Sequence, residues 1–109
     1  MAKEAIFIQP GTVINYTAGA NIAVGEIVPL VNCVGVAQTD IAKDEVGAVA
    51  ITGVYEAAAV NNAAFAVGDK LYWDDTAGKL TKTDTSNTYA GICVAVKAQS
   101  GTTGLVKIG

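Results

Sequence analysis

Ten acidic residues, seven lysines and two cysteines are the side chains most able to do chemistry in this chain, which has no arginine and no histidine. Without histidine it cannot form a Ser-His-Asp triad, a Cys-His pair or an imidazole metal site. Without arginine, and with a formal net charge of −3, it lacks the usual means of binding phosphates and nucleic acid. We therefore expect a protein that is not an enzyme and that uses no metal or cofactor.

The spacing of the acidic residues favours turns over catalysis. Asp74 and Asp75 are adjacent and would point to opposite sides of a strand, so turn capping explains them better than paired acid–base work. Asp40, Asp44 and Glu45 lack the alternation and the glycine of a calcium-binding loop. We expect these three residues to form a solvated loop.

The two cysteines lie far apart, each in an apolar run near a glycine. We expect Cys33 and Cys93 to be buried free thiols rather than a disulfide, because the protein is expected to fold in a reducing compartment. The start, Met1–Pro10, has too few bulky apolar residues for a signal peptide, which predicts synthesis in the cytoplasm. No stretch approaches the roughly 20 apolar residues that span a membrane.

The composition predicts an all-β fold. Valine, threonine, isoleucine and glycine are abundant while leucine is scarce, and short apolar runs alternate with turn signals. We predict a compact small barrel or sandwich of about eight short strands, with at most one short helix. Residues 11–109 would form a single β domain, and residues 1–10 either an N-terminal arm or a first strand that ends before Pro10-Gly11.

Individual strands can be placed between the turn signals. Because Pro29 cannot donate to a ladder, its strand is expected at a sheet edge or a bulge. Glu56–Phe65 is expected to be a loop or a helix of one to two turns. The predicted strands are Thr12–Thr17, Ile27–Val31, Val34–Ala37, Gly47–Tyr55, Leu71–Trp73, Leu80–Thr83, Ala90–Ala98 and Leu105–Ile108.

A small-apolar-Gly-acid turn before an apolar run occurs twice, in Ala23–Val28 and in Ala66–Asp74. Gly25 and Gly68 would supply the positive φ of a tight turn, and Asp69 would accept bonds from backbone N–H groups. A further turn before Lys79 should place Gly78 in the left-handed region.

These turns suggest two related halves. Gly25 aligns with Gly68, and two further glycine pairs follow in the same order along the chain. The further pairs are Gly35 with Gly91 and Gly47 with Gly104.

Several blocks of this sequence come in an order that resembles a known family. The most specific block is Gly-Asp-Lys-Leu-Tyr-Trp-Asp, at residues 68–74. The blocks are Tyr16–Ala18, Val24–Val28, Val34–Ala37, Gly53–Tyr55, Val67–Asp74 and Gly91–Ala95. From about Gly11 to Ile108 the chain resembles small tailed-phage and prophage proteins described as capsid cement or decoration proteins. Older labels for them are a domain of unknown function and a predicted phage recombinase.

The sequence departs from that family at two positions. Cys93 stands where members usually have valine or another small residue, and Glu26 replaces the commoner aspartate. The resemblance implies a trimeric β-rich subunit on the outside of a phage head, made in the host bacterial cytoplasm, that clamps neighbouring major capsid proteins. Its partners would be the major capsid protein and itself, with no nucleic acid and no membrane.

Residue type and position suggest which side chains make these contacts. We expect Ile6, Phe7, Ile8 and Tyr16 to contact the capsid or another subunit. Tyr72 and Trp73 are expected to pack in the core or at the trimer interface, since no positive charge surrounds them to favour stacking on a base.

Two other functions remain as alternatives. One is a DNA-binding recombination accessory protein, although the chain has no phosphate-binding loop and no arginine. The other is a head-exposed receptor- or glycan-binding protein that would use the loops at Asp40–Glu45 and Asp84–Thr88.

Overall fold

A computed structural model describes residues 5–109 and places nine β-strands, and no helix, in that range. The strands form two antiparallel sheets, one in the order β1-β4-β3-β2 and one in the order β5-β9-β8-β6-β7. The predicted all-β class is confirmed, and the architecture is a sandwich rather than a closed barrel. The strands are β1 (Val13–Thr17), β2 (Ile27–Pro29), β3 (Val34–Ala37), β4 (Val46–Ala50), β5 (Gly53–Ala58), β6 (Lys70–Asp74), β7 (Lys79–Thr81), β8 (Thr88–Cys93) and β9 (Thr103–Ile108).

The first strand shows how side-chain alternation sets the fold. Ile14 and Tyr16 point inward and are half-buried, while the three residues between and around them are exposed. This is the period of two expected for a strand with one buried face. β2 is an edge strand, as the proline at its end predicted, because Pro29 has no N–H for a further ladder.

The sandwich has two apolar cores that meet at β3. The core of the first sheet is formed by Ala18, Ile22, Val28, Ala37, Ile41 and Val49. The second core includes Ala59, Phe65, Leu71, Trp73, Leu80, Cys93, Val106 and Ile108. Val34 and Val36 of β3 also belong to this second core, whereas Ala37 faces the first. All four residues of β3 are therefore buried.

The two sheets repeat one topology. β1, β4, β3 and β2 correspond in order to β5, β9, β8 and β6, and β7 is an addition at the edge of the second sheet. The registers also match. In the first half (residues 12–52), Val36 pairs with Ala50, and in the second half (residues 53–109) Ile92 pairs with Lys107. The repeat predicted from the sequence is therefore present in the fold.

The two acid-containing turns make equivalent backbone hydrogen bonds. The Gly25 amide donates to Ala37 O at 2.8 Å, and the Gly68 amide donates to Cys93 O at 2.9 Å. Both glycines have positive φ, 82° and 96°. Gly25 and Gly68, which the sequence alignment of the two halves matched, therefore occupy equivalent positions in the structure.

The other two glycine pairs also occupy equivalent positions. Gly35 pairs across the ladder with Val28, and Gly91 pairs with Leu71 at the same point of the second half. Likewise Gly47 of β4 and Gly104 of β9 lie opposite β1 and β5, respectively. All three glycine pairs aligned from the sequence therefore lie at equivalent positions of the two sheets.

Two predicted strands are wrong. Ala90–Ala98 is too long, because β8 ends at Cys93, and Gly47–Tyr55 divides into two. The prediction joined Gly47–Tyr55, but β4 ends at Ala50 in one sheet and β5 begins at Gly53 in the other. Gly53 has φ of 128°, a conformation that L side chains rarely adopt, and it redirects the chain between the sheets.

The loop or helix predicted for Glu56–Phe65 is only partly correct. β5 continues to Ala58, and its neighbour Ala59 bridges Leu80 of β7 in parallel. Alanine favours helix in isolation, but pairing with β9 decides the conformation here. This isolated bridge joins the chain after β5 to β7, which lies at the opposite edge of the same sheet.

The two cysteines are free, but the prediction that both are buried is wrong for one of them. Cys93 is fully buried in the second core, where its thiol donates to Ala95 O at 3.0 Å. Cys33 is exposed because it precedes β3, in the loop that leaves β2.

Candidate interaction surfaces

Within residues 5–109, no group of three or more acidic, cysteine or histidine side chains lies close enough together to hold a metal ion. Nor does that part of the chain include a helix with the length and apolar character needed to cross a membrane. The features considered as candidates are the acidic side chains of the turns and the exposed apolar surfaces.

The acidic side chains near the turns bind backbone amides. Asp69 accepts a hydrogen bond from the Ala66 amide at 2.8 Å, and Asp40 accepts one from the Val24 amide at the same distance. Asp74 accepts from two amides of the β6–β7 turn, each at 3.1 Å. These carboxylates hold turns in place, which is the chemistry that Asp and Asn provide in such loops.

The hairpin turn between β6 and β7 has the glycine geometry expected from the sequence. Gly78 has φ of 68°, and its amide donates to Asp74 O at 2.7 Å. Nothing would touch a Cβ at Gly25, Gly68 or Gly78, so backbone conformation rather than crowding favours glycine at these turns.

Three of the four aromatic residues singled out from the sequence lie in different environments. Trp73 is buried, with 9% of its surface exposed, and its Nε1 donates to Asp75 Oδ1 at 3.1 Å. Tyr72 points to the opposite face of β6 and packs edge-on against Tyr89, with ring centroids 5.7 Å apart. Tyr16 is half-buried against the first core. Trp73 is therefore a residue of the chain's own second core.

The segment before β1 has no regular secondary structure, and its apolar side chains are exposed. Ile6, Phe7 and Ile8 are 72%, 81% and 81% exposed. Within residues 5–109, no hydrogen bond joins residues 5–11 to the sheets, and these residues form no strand. Residues 1–4 of the predicted arm lie outside the described residues. Three adjacent large apolar side chains that are exposed to solvent form a candidate contact surface.

A second uncovered apolar surface lies on the outer face of β8. Ile92 is 44% exposed and lines a cleft of about 310 Å³ together with Cys33, Tyr89 and Lys107. Neither Ile92 nor the cleft was among the residues singled out from the sequence. The sequence carries no signal for it, because the equivalent residue of the first half, Val36, is also apolar and follows a glycine, yet is buried.

Sequence reasoning also missed the buried lysine. Lys97 is only 4% exposed, and its Nζ donates to the carbonyl oxygens of Ala98, Gln99 and Gly101. A signal could have come from aligning the two halves, because Lys97 then matches Ile41, an apolar residue of the first half.

Comparison with known proteins places the chain in a family. No curated protein and no solved structure matches it. The model of one family, described as phage cement protein, matches residues 8–108, which is almost the whole chain. That match confirms the resemblance carried by the Gly-Asp-Lys-Leu-Tyr-Trp-Asp block and its neighbours. The chain therefore belongs to the phage cement protein family.

Proposed function

We propose that this protein is a structural subunit that binds the outside of a phage head as a homotrimer and stabilises the contacts between major capsid proteins. The observation that carries the proposal is the family match over residues 8–108. The geometry agrees with it, since the exposed side chains offer apolar contact surface and the acidic side chains near the turns are engaged in holding backbone.

The arm at Ile6–Ile8 is the surface that we assign to the capsid. These side chains gain nothing from the fold of their own subunit because they are largely exposed. Fully burying one such side chain in a partner contributes about 1.5–3 kcal/mol. Tyr16 of the edge strand β1 is half-buried against the first core, so we assign only the exposed part of its ring to capsid or subunit contact.

Cementing requires that weak contacts act together. Packaged DNA presses outward on the shell, and a protein that bridges capsid subunits adds buried area across the seams. A symmetric oligomer presents several arms at once, so that each additional arm binds at a high effective concentration. Modest affinity for each arm is then sufficient for a durable attachment.

The test is co-sedimentation of the purified full-length protein with capsid shells that lack it, together with its mass in solution. We expect an oligomer that sediments with the shells in proportion to their capsid subunits. A monomer that stays in the supernatant would refute the proposal. Salt-sensitive retention of DNA by the protein, without capsid binding, would instead support the recombination accessory alternative.

A further inference from the structure

Within residues 5–109, the edge strands of the two sheets differ in how well they are protected against pairing with another chain. β2 and β7 are only three residues long, and they carry Pro29 and Lys79, respectively. β5 carries Glu56, and the chain that follows it bridges β7. Short length, proline, charge and bridging are means by which proteins block an open sheet edge. β1 is five residues long, Val-Ile-Asn-Tyr-Thr, and has none of these features.

The hydrogen bonds at the two ends of the β1–β4 ladder show which backbone groups of β1 are free. Thr12 O accepts a bond from the Ile51 amide at 2.9 Å, and the Ala18 amide donates to Glu45 O at 3.0 Å. Residues along one strand of an antiparallel ladder alternate between bonding to the partner strand and pointing away from it. The even-numbered residues of β1 therefore bond to β4, and the N–H and C=O groups of its odd-numbered residues point away from the sheet.

The odd-numbered residues of β1 are Val13, Asn15 and Thr17. Within residues 5–109 their outward N–H and C=O groups meet no neighbouring strand, and their side chains are exposed. Alternate residues of a strand lie about 6.6 Å apart, which is the repeat that an added strand would match. The edge of β1 is therefore a template for one more strand.

The second half shows what lies at the corresponding place beside β5. Ala59 follows β5 as Ala18 follows β1, and both alanines are 1% exposed. Ala59 forms a parallel bridge with Leu80 of β7, and the next amide, that of Val60, donates to Leu80 O at 3.0 Å. β7 has no counterpart in the first half. The place that β7 occupies beside the end of β5 is therefore open beside the end of β1.

The inward face of β1 is also incompletely covered. Ile14 and Tyr16 pack on the first core, yet both side chains remain half-buried. Side chains of neighbouring strands stand next to one another on one face of a sheet. Apolar side chains at alternate positions of an added strand would therefore lie beside Ile14 and Tyr16 and complete their burial.

We propose that an extended segment of the major capsid protein adds a strand to the free edge of β1. Its backbone bonds to Val13, Asn15 and Thr17, and its alternate apolar side chains cover Ile14 and Tyr16. In such strand addition the backbone bonds provide affinity and the alternate side chains provide specificity. This inference deepens the proposed function and rests on it for the identity of the partner.

Symmetry and continuity select the capsid rather than a second copy of this chain as the occupant. Pairing of β1 with β1 of another copy is a twofold contact, which cannot close the trimer of the proposed function. Pairing of β1 with another edge would require β2, β5 or β7, and the proline, the charged residues and the bridge of those strands oppose it. The exposed segment Ile6–Ile8 leads into β1, so the strand edge continues the surface that the proposed function assigns to the capsid.

The first experiment measures hydrogen exchange of the β1 amides, residue by residue, in the free protein and in the protein bound to capsid shells that lack it. In the free protein we expect the amides of Val13, Asn15 and Thr17 to exchange faster than those of Ile14 and Tyr16, which bond to β4. On the shells, the three fast amides should slow by about tenfold or more, because they then bond to the added strand.

Each other outcome of the exchange experiment contradicts the inference in a distinguishable way. Fast exchange of the odd-numbered amides in shell-bound protein would overturn the inference and leave capsid binding standing. Slow exchange of the same amides in the free oligomer would also overturn it, because a second copy would then occupy the edge. A wild-type protein that fails to sediment with the shells would refute the proposed function and this inference with it.

The second experiment blocks the edge without removing a bond to β4. Asn15→Pro replaces the central outward N–H of β1 by a ring, and proline is tolerated where the N–H of an edge strand faces solvent. The matched control is Glu56→Pro, because Glu56 lies at the equivalent position of β5. We expect Asn15→Pro to bind shells about tenfold more weakly than wild type, or weaker still, and Glu56→Pro to bind like wild type. Circular dichroism checks that both variants are folded.

Wild-type affinity of a folded Asn15→Pro protein for the shells would overturn the inference. Equal weakening by Glu56→Pro would contradict it too, since the effect would not be specific to β1. If Asn15→Pro does not fold, the exchange of the wild-type amides on the shells decides the question.

Discussion

Lys97 occupies in the second half the position that Ile41 occupies in the first. Ile41 forms an isolated antiparallel bridge with Ile22, and Lys97 forms the same bridge with Phe65. Both are buried, at 2% and 4% exposure. One half therefore fills this position with an apolar side chain and the other with a charged one.

The lysine is accommodated by the turn that follows it. Its Nζ lies 2.9 Å from Ala98 O, 3.4 Å from Gln99 O and 3.0 Å from Gly101 O. It also lies 4.9 Å from the centroid of the Phe65 ring. Carbonyl dipoles and an aromatic face together replace the water that the ammonium group loses on burial.

We expect Lys97→Met to lower the free energy of unfolding by about 1–3 kcal/mol, because the stem would still pack but three carbonyl groups would lose their donor. Urea denaturation measures this change. The matched control is Lys82→Met, since Lys82 is exposed and makes one surface ion pair with Asp69 at 3.7 Å. That control should change stability by no more than about 0.5 kcal/mol. Equal stability of Lys97→Met and wild type would show that the ammonium contributes nothing net.

Gly91→Ala is expected to cost about 3 kcal/mol of stability or more, at the upper end of overpacking effects. A Cβ at this position would lie 2.0 Å from the carbonyl oxygen of Lys107, which is backbone and cannot rotate away. Thermal unfolding measures the loss. Gly19→Ala is the control, because a Cβ there meets nothing within 4 Å, and its unfolding temperature should stay near that of wild type. A stable Gly91→Ala protein would show that β8 and β9 separate readily at this point.

The thiols should differ in reactivity. In the native protein we expect one fast-reacting thiol, Cys33, because Cys93 is buried in the second core and reacts only on unfolding. A thiol-reactive chromophore in buffer and then in denaturant counts the two classes. The Cys33→Ser protein should show no fast-reacting thiol. Fast reaction of Cys93 under native conditions would mean that the second core opens easily.

Phe7→Asp should weaken capsid binding without affecting the fold. Phe7 is 81% exposed, so its replacement should alter stability by no more than about 0.5 kcal/mol. Losing its burial at each capsid contact should lower affinity by about tenfold or more. Co-sedimentation with capsid shells across a range of protein concentrations measures this effect. Val96→Asp, at 78% exposure, serves as the control and should bind like wild type. Unchanged capsid binding by Phe7→Asp would remove the arm from the proposed contact.

Much of the fold follows from local patterns. Alternation at Ile14 and Tyr16 is enough to place β1, and Pro29 is enough to place β2 at an edge, because each depends only on neighbours in the chain. The positive φ at Gly25 and Gly68 follows in the same way from turn chemistry.

The errors come from interactions between distant residues. Gly47–Tyr55 looks like one strand locally, but its two ends pair with β1 and β9 in different sheets. The alanines after Glu56 favour helix until the pairing of β5 with β9 is known. The exposure of Cys33 likewise depends on where β2 and β3 leave the sandwich.

The sequence by itself determined the all-β class, the acid-containing turns and the repeat, because these depend on residue type and short spacing. Only the tertiary structure decided which faces are covered. Val36 and Ile92 lie at equivalent positions next to equivalent glycines, yet one is buried and the other exposed. Their difference arises because one sheet packs on the core of the other and not the reverse, and no local pattern records that order.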